Sequence, residues 1–229
     1  MKGIKNPEDW TALLNLAEAQ DSVAQYEVAY YYDYGLKIED TEIVSENKPK
    51  AFEWYYIAYK NGNRDAIIPT ANFLSEGIYC DQNIGLAVDL YHKEIAIGSG
   101  LAANNLGLIF RDRQEYEIAF EWYKVAQGLD KSPSLRVALC HYLGIGTKKD
   151  VKEAFDILLQ ISKDAHVNSQ YDVDEANYLL GKIYLNGDAV EKSIPRARHF
   201  LKLADADHDH RSAQELLIII GRNDQTAQI

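Results

Sequence analysis

Small and apolar residues return along this chain at fixed offsets. An alanine is followed by an apolar residue four positions on, a small residue five on, an aromatic or apolar residue eight on, and often a glycine eleven on. The copies read Ala24, Val28, Ala29, Tyr32, Gly35, then Ala66, Thr70, Ala71, Leu74, Gly77. Next come Ala102, Leu106, Gly107 and Phe110, with Arg113 in place of glycine, and then Pro133, Val137, Ala138, His141 and Gly144. The last is Ala176, Leu180, Gly181, Tyr184, Gly187. Offsets of four, five and eight share one face of a 3.6-residue helix. The small residue lets a second helix come close, and the glycine ends the first, because a left-handed backbone costs glycine nothing.

A second pattern follows each copy, anchored on Ala51, Ala87, Ala119, Ala154 and Ala197. Three residues beyond the anchors stand Trp54, Leu90, Trp122, Ile157 and Phe200, and one further Tyr55, Tyr91, Tyr123, Leu158 and Leu201. This is an amphipathic helix with an apolar pair on one face. The anchors lie 36, 32, 35 and 43 residues apart. Two helices per unit at that period predict an all-α solenoid of about five helix-turn-helix repeats, since one hairpin cannot bury its apolar face alone.

The expected organisation is a single array over residues 1–229, with repeats near 22–62, 63–98, 99–130, 131–165 and 172–208. A capping helix is expected over 7–21, with Asn6 as N-cap and Pro7 at its first position, and another over 209–221, where Ala213 and Leu217 begin a sixth unit. Pro133 is expected in the first turn of its helix. Two polar insertions, 36–48 and 163–174, are expected as surface loops.

The runs KAFEWYYIAYKNG, GIGTKKDVKEAF and ANYLLGKIYLNG resemble the Sel-one-like repeat, a relative of the tetratricopeptide repeat, over about residues 22–208. The third copy departs from it, with a clipped, glycine-free loop, RDRQEYE. The resemblance implies a right-handed α/α superhelix and a non-catalytic interaction module or adaptor, without a cofactor, holding a protein segment in its concave face. Some secreted relatives bridge the two helices of each repeat with a cysteine pair. Here Cys80 and Cys140 fall on non-adjacent repeats, which implies two ordinary thiols and a reducing, cytoplasmic setting. A removed signal sequence would make the setting periplasmic or secreted.

Composition adds constraints. Apolar residues are 47% of the chain, enough for a core, and 35 acidic against 24 basic residues give a net charge of −11. That balance argues against a nucleic-acid or anionic-membrane surface. It suits a protein partner with a basic face, so an inhibitor or immunity protein against a basic toxin or enzyme is the alternative reading. Apolar runs are too short to span a bilayer, and MKGIKNPEDW lacks an apolar signal segment. A monomer is expected.

The candidate site is a row of spare polar and aromatic positions. In the cluster Tyr30, Tyr31, Tyr32 and Tyr34 only Tyr32 is on the packing register, so Tyr30 and Tyr34, with Glu27, face away from the core. They serve either as partner anchors or as a face covered by the first insertion. Corresponding faces of later copies bring Asn72 and Glu76, then Asn105 and Asp112, then Lys182 and Asn186, side chains suited to an extended peptide.

Other motifs carry less. His208 and His210 among Asp205, Asp207 and Asp209 lie in a turn, and a zinc site needs about four converging ligands, so no metal is expected. Ser45 and Lys48 match a Ser-x-x-Lys pattern without its companion motifs, which makes a β-lactam or cell-wall hydrolase the weakest reading. His141 holds a repeat aromatic position and reads as packing, like Trp54 and Trp122. No glycine-rich phosphate loop is present.

Overall fold

A computed structural model describes residues 3–164 and 168–226, with side chains as far as Gly221. Twelve helices and one small hairpin lie among the described residues. In order they are α1 (Pro7–Glu18), α2 (Ser22–Tyr34), β1 (Leu36–Ile38), β2 (Thr41–Val44), α3 (Lys48–Lys60), α4 (Ile67–Glu76), α5 (Ile84–Ile95) and α6 (Gly100–Asp112). There follow α7 (Tyr116–Asp130), α8 (Leu135–Leu143), α9 (Val151–Lys163), α10 (Gln170–Asn186), α11 (Ile194–Ala204) and α12 (Arg211–Thr226). The protein is an all-α helical-repeat solenoid.

The chain forms two compact units, one ending at Leu106 and the other starting at Gly107, so the division falls inside α6. In each unit successive helices pack on one another, from α1 to α5 in the first and from α7 to α12 in the second. The repeat positions build both cores. Ala51, Tyr55, Ala87, Leu90 and Tyr91 are buried in the first unit, and Ala119, Tyr123, Ala154, Leu158, Ala197 and Leu201 in the second.

The small residue five positions on does what its size requires. A Cβ on Gly107 would stand 2.5 Å from the Tyr123 ring, and one on Gly181 would stand 2.7 Å from Leu201 Cγ. In these two hairpins the helices therefore close to a distance that even a methyl group would obstruct, whereas Ala29, Ala71 and Ala138 hold the position in the other three.

One hydrogen bond closes all five hairpins. The N-cap residue of the second helix donates its backbone N–H to the carbonyl of the residue eight positions along the first pattern. The pairs are Asn47 to Tyr32 at 2.7 Å, Asn83 to Leu74 at 2.9 Å, Glu115 to Phe110 at 2.9 Å, Asp150 to His141 at 2.8 Å and Ser193 to Tyr184 at 2.9 Å. In four of these hairpins the same residue also caps the second helix with its side chain, through Asn47, Asn83, Asp150 and Ser193. Glu115, after the clipped loop, makes no side-chain cap bond, and Gln114 takes the left-handed conformation at φ 62°. Asp150→Ala is accordingly expected to cost about 1 kcal/mol in chemical denaturation, and Glu115→Ala far less.

Several expectations change. The first insertion is an antiparallel hairpin, not a loop. Val44 is buried in the cluster made by α1 and α2 and Leu36 and Ile43 pack against it, while Glu39 turns the chain at φ 53°. The second insertion is only partly loop: Ser169 accepts the N–H of Asp172 and starts α10 at Gln170. Residues 165–167 of that insertion lie outside the described residues. Pro133 precedes α8, because Ser134 caps that helix. The first cap helix stops at Glu18, where Gln20 turns left-handed and Asp21 caps α2, and the last runs on to Thr226. Asn6 and Pro7 open α1 as the sequence indicates.

Trp54, Trp122 and Tyr32 are half-buried, with the deepest places taken by Tyr55 and Tyr123 one residue after the tryptophans. Tyr31 is buried, with Trp10 edge-on to it at 6.0 Å, because α1 covers that side of α2. Both cysteines are free thiols; Cys140 is buried and Cys80 half-buried. No helix among the described residues is long and apolar enough to cross a membrane.

Candidate partner-binding surface

The first unit's spare tyrosines form a small aromatic platform. Tyr30 and Tyr34, one turn apart on α2, lie in tilted contact, with ring centroids 4.7 Å apart and planes at 42°. Tyr34 remains 65% exposed, so the hairpin that follows it does not cover it. Lys48, at the start of α3, lies 5.4 Å over the Tyr34 ring and bonds both the side chain of buried Asp33, at 3.0 Å, and its carbonyl, at 2.7 Å. Burial pulls the Lys48 ammonium down, but the bond and charge of Asp33, with Glu46, outweigh it and hold it above its ordinary value. Asp33 also accepts from the Tyr55 hydroxyl at 3.3 Å, which ties the platform to the core. Glu27 sits elsewhere, in the cleft between α1 and α2 with Leu16 and Val23.

Asn72 is already engaged. Its carbonyl oxygen accepts from the Tyr91 hydroxyl at 2.6 Å and from the Asn105 amide at 3.0 Å. Asn105 stands three positions into its copy and reaches back to Asn72, so these two amides satisfy a buried tyrosine before they can meet a ligand. Glu76 is exposed nearby on α4.

In the second unit Asp112 holds the neighbouring Arg111 at 2.6 and 2.9 Å. Lys182 lies over the rings of Tyr178, at 5.3 Å, and Tyr142, at 5.7 Å. Asn186 is exposed and donates to Asp188 at 3.1 Å.

The fourth copy supplies residues that the sequence reading passed over. Six and ten positions beyond Pro133 stand Leu139 and Leu143, beside a half-open cavity of about 190 Å³. The same offsets used for Tyr30 and Tyr34 would have found them, but they are apolar, and a search for polar positions skipped them.

The remaining motifs are structural. His210 accepts the Ala213 N–H through Nδ1 at 3.2 Å, capping α12, and its ring lies tilted against Tyr178 at 4.8 Å. His208 is exposed, and no group of three or more His, Cys, Asp or Glu among the described residues could hold a metal ion. Ser45 donates to Glu42 while Lys48 is taken by Asp33, so the Ser-x-x-Lys pair is not a nucleophile with its base. His141 is half-buried, edge-on to Phe120 at 5.2 Å.

Repeated hairpins with one closing bond, one close-approach position and variable exposed faces define a helical-hairpin repeat protein. More particularly, the chain belongs to the Sel1 repeat family, whose pattern matches residues 22–63, 70–93, 100–126, 135–164 and 174–204. No curated protein matches. Among solved structures, a protective antigen of uropathogenic Escherichia coli strains with the same repeat fold aligns with a TM-score of 0.70 and 23% identity over 92% of this chain. The chain spans 44% of that antigen's length. A Sel1 repeat protein from Oxalobacter formigenes aligns with a TM-score of 0.64 and 19% identity, covering 94% of this chain and 87% of that one. Sel1 repeat proteins are generally non-catalytic scaffolds that mediate protein–protein interactions.

Proposed function

We propose that this chain is a non-catalytic interaction module and that the first unit's tyrosine platform contacts its protein partner. The exposed Tyr34, in contact with Tyr30, carries the reading. A large, stiff ring with a polar tip, held by Tyr30 and by Lys48, presents contact area with little rotamer freedom left to lose. The Lys48–Asp33 pair beneath it adds a polar edge, as the rim of an interface requires. Asn72 and Asn105 play a supporting part: their mutual bond fixes a polar surface on the same unit, and Glu76 continues it.

The test is capture of the natural partner by crosslinking and pull-down, followed by binding measurements with Tyr30→Ala/Tyr34→Ala. The double variant is expected to keep its helical circular dichroism, because Tyr34 is exposed and Tyr30 only half-buried, and to weaken binding by about 2 kcal/mol or more, the scale of an aromatic hot spot. Undiminished binding by a folded double variant removes the platform from the interface.

A further inference from the structure

The cavity beside Leu139 and Leu143 lies wholly within the second unit, against the end of α6, α7 and α8. Leu139, Leu143 and Ile145 give it an apolar wall, and Leu143 and Ile145 are exposed at its mouth. Two guanidiniums, Arg111 and Arg136, line the same space. Tyr123 lines it too; that residue is 4% exposed and its buried hydroxyl has no hydrogen-bond partner among the described residues. Burial pushes this hydroxyl's pKa up, against the pull of Arg136 and Arg111, with smaller contributions from Cys140 and Asp112. Tyr123 shares the cavity lining with Arg111, Arg136 and Cys140.

The two arginines differ. Arg111 donates twice to Asp112 and is largely neutralised by it. Arg136 lies 5.7 Å over the Tyr123 ring, and no carboxylate of the described residues is within salt-bridge distance of it. Two arginines and one aspartate leave one net positive charge, in a chain whose total is −11. That matches one carboxylate better than a phosphoryl dianion. A guanidinium takes a carboxylate through two parallel bonds, and an unpartnered buried hydroxyl is a cost that a bound acceptor removes.

We infer that this cavity binds the last residue of a partner's polypeptide, its α-carboxylate on Arg136 and the Tyr123 hydroxyl and its aliphatic side chain against Leu139 and Leu143. A terminal leucine, isoleucine or valine presents a carboxylate and a branched apolar group on one carbon. An internal leucine lacks the charge, and an aspartate or glutamate side chain leaves the apolar wall empty. At about 190 Å³ the space suits one residue, being smaller than the ~300–1,000 Å³ of small-molecule pockets. The inference rests on the protein-binding reading above but uses a different surface.

The experiment is a titration of the whole isotope-labelled protein, followed by amide resonances, with N-acetyl-Gly-Gly-Leu as free acid and as carboxamide. The acid is expected to shift resonances within residues 107–146 and to saturate them. The carboxamide, and the acid with Arg136→Gln, should each bind at least about tenfold more weakly, the loss of one charge-assisted pair. Tyr123→Phe should weaken the acid severalfold yet leave the thermal midpoint unchanged or higher, because it deletes an unsatisfied group. Tyr30→Ala/Tyr34→Ala should leave the titration unaltered, so the platform and the cavity stand or fall separately. Equal binding of acid and carboxamide, full retention in Arg136→Gln, or shifts confined to other helices overturns the assignment. So does a lower thermal midpoint for Tyr123→Phe, which reveals a structural partner for the hydroxyl. Tighter binding of 4-methylpentanoate than of the peptide replaces the polypeptide end with a free aliphatic acid.

Discussion

Leu201→Ala is expected to destabilise the second unit by about 2–5 kcal/mol, and a second change, Gly181→Ala, to recover part of that loss. Leu201 is fully buried in the cluster that joins α11 to α12, so its truncation removes apolar burial and leaves a space that packed helices close only in part. That space lies beside Gly181, where an added Cβ would stand 2.7 Å from Leu201 Cγ and 2.8 Å from Cδ2. In the natural background Gly181→Ala therefore overpacks the α10–α11 contact, at about 1–3 kcal/mol, against the ~1 kcal/mol an alanine gains in a helix interior. With Leu201 cut back, both obstructing atoms are gone and the nearest remaining neighbour is the Ala197 carbonyl at an ordinary 3.4 Å.

The sign of the Gly181→Ala effect should thus reverse between backgrounds, giving a coupling of about 1–3 kcal/mol. Urea denaturation of the four proteins of the cycle, with hydrogen exchange on α10 and α11 amides, measures it. Equal effects of Gly181→Ala in both backgrounds would mean that the close approach is not set by this pair.

That contact was legible in the sequence, and the reason is geometric. A small residue at offset five facing an apolar residue on the second helix is a short-range rule, restated in five copies and independent of anything distant. The same holds for Asn6 at the start of α1. What escaped were features decided by neighbours outside the repeat. Tyr31 lies off the repeat register and is buried only because α1 supplies a second covering layer. The alternation in Leu36, Lys37 and Ile38 spells a strand, but a strand needs a mate, and its mate begins only at Thr41.

The surface was harder to read for the same cause. Tyr30 and Tyr34 follow from helix periodicity alone, so their shared face was foreseeable. Asn72 and Asn105 look equally free in the sequence, yet they are spent on each other and on Tyr91, a partnership across two repeats that no local pattern announces. Leu139 and Leu143 were missed in the opposite way. Their offsets qualified them, and only their chemistry hid them among core residues.

The Asn72 network has its own consequence at alkaline pH, where the first unit is expected to unfold as pH rises from about 10 to 12. Tyr91 is 1% exposed, and burial drives its hydroxyl up from 10.0 to about 12. Tyr55 is buried as well; burial and then the Asp33 charge carry it in the same direction and further. A group whose folded pKa is raised contributes its stability in full below the unfolded value and loses it as pH climbs through the folded one. For Tyr91 the window is thus about 10 to 12, and the loss approaches ~2.7 kcal/mol, at ~1.36 kcal/mol per unit. Neither ring reaches solvent enough to screen the effect. Lys48, held above its ordinary value by the bond and charge of Asp33 and by Glu46, likewise gains stability from its protonated form that alkali removes. Phenolate absorbance and circular dichroism, followed together, should show the buried tyrosines ionising only as the helices of the first unit melt. Tyr91→Phe should move that melting to higher pH while costing little near neutrality, because Asn72 still accepts from Asn105. Ionisation of all tyrosines near their ordinary value with the helices intact, or an alkaline midpoint unmoved by Tyr91→Phe, would refute this account of the buried hydroxyl.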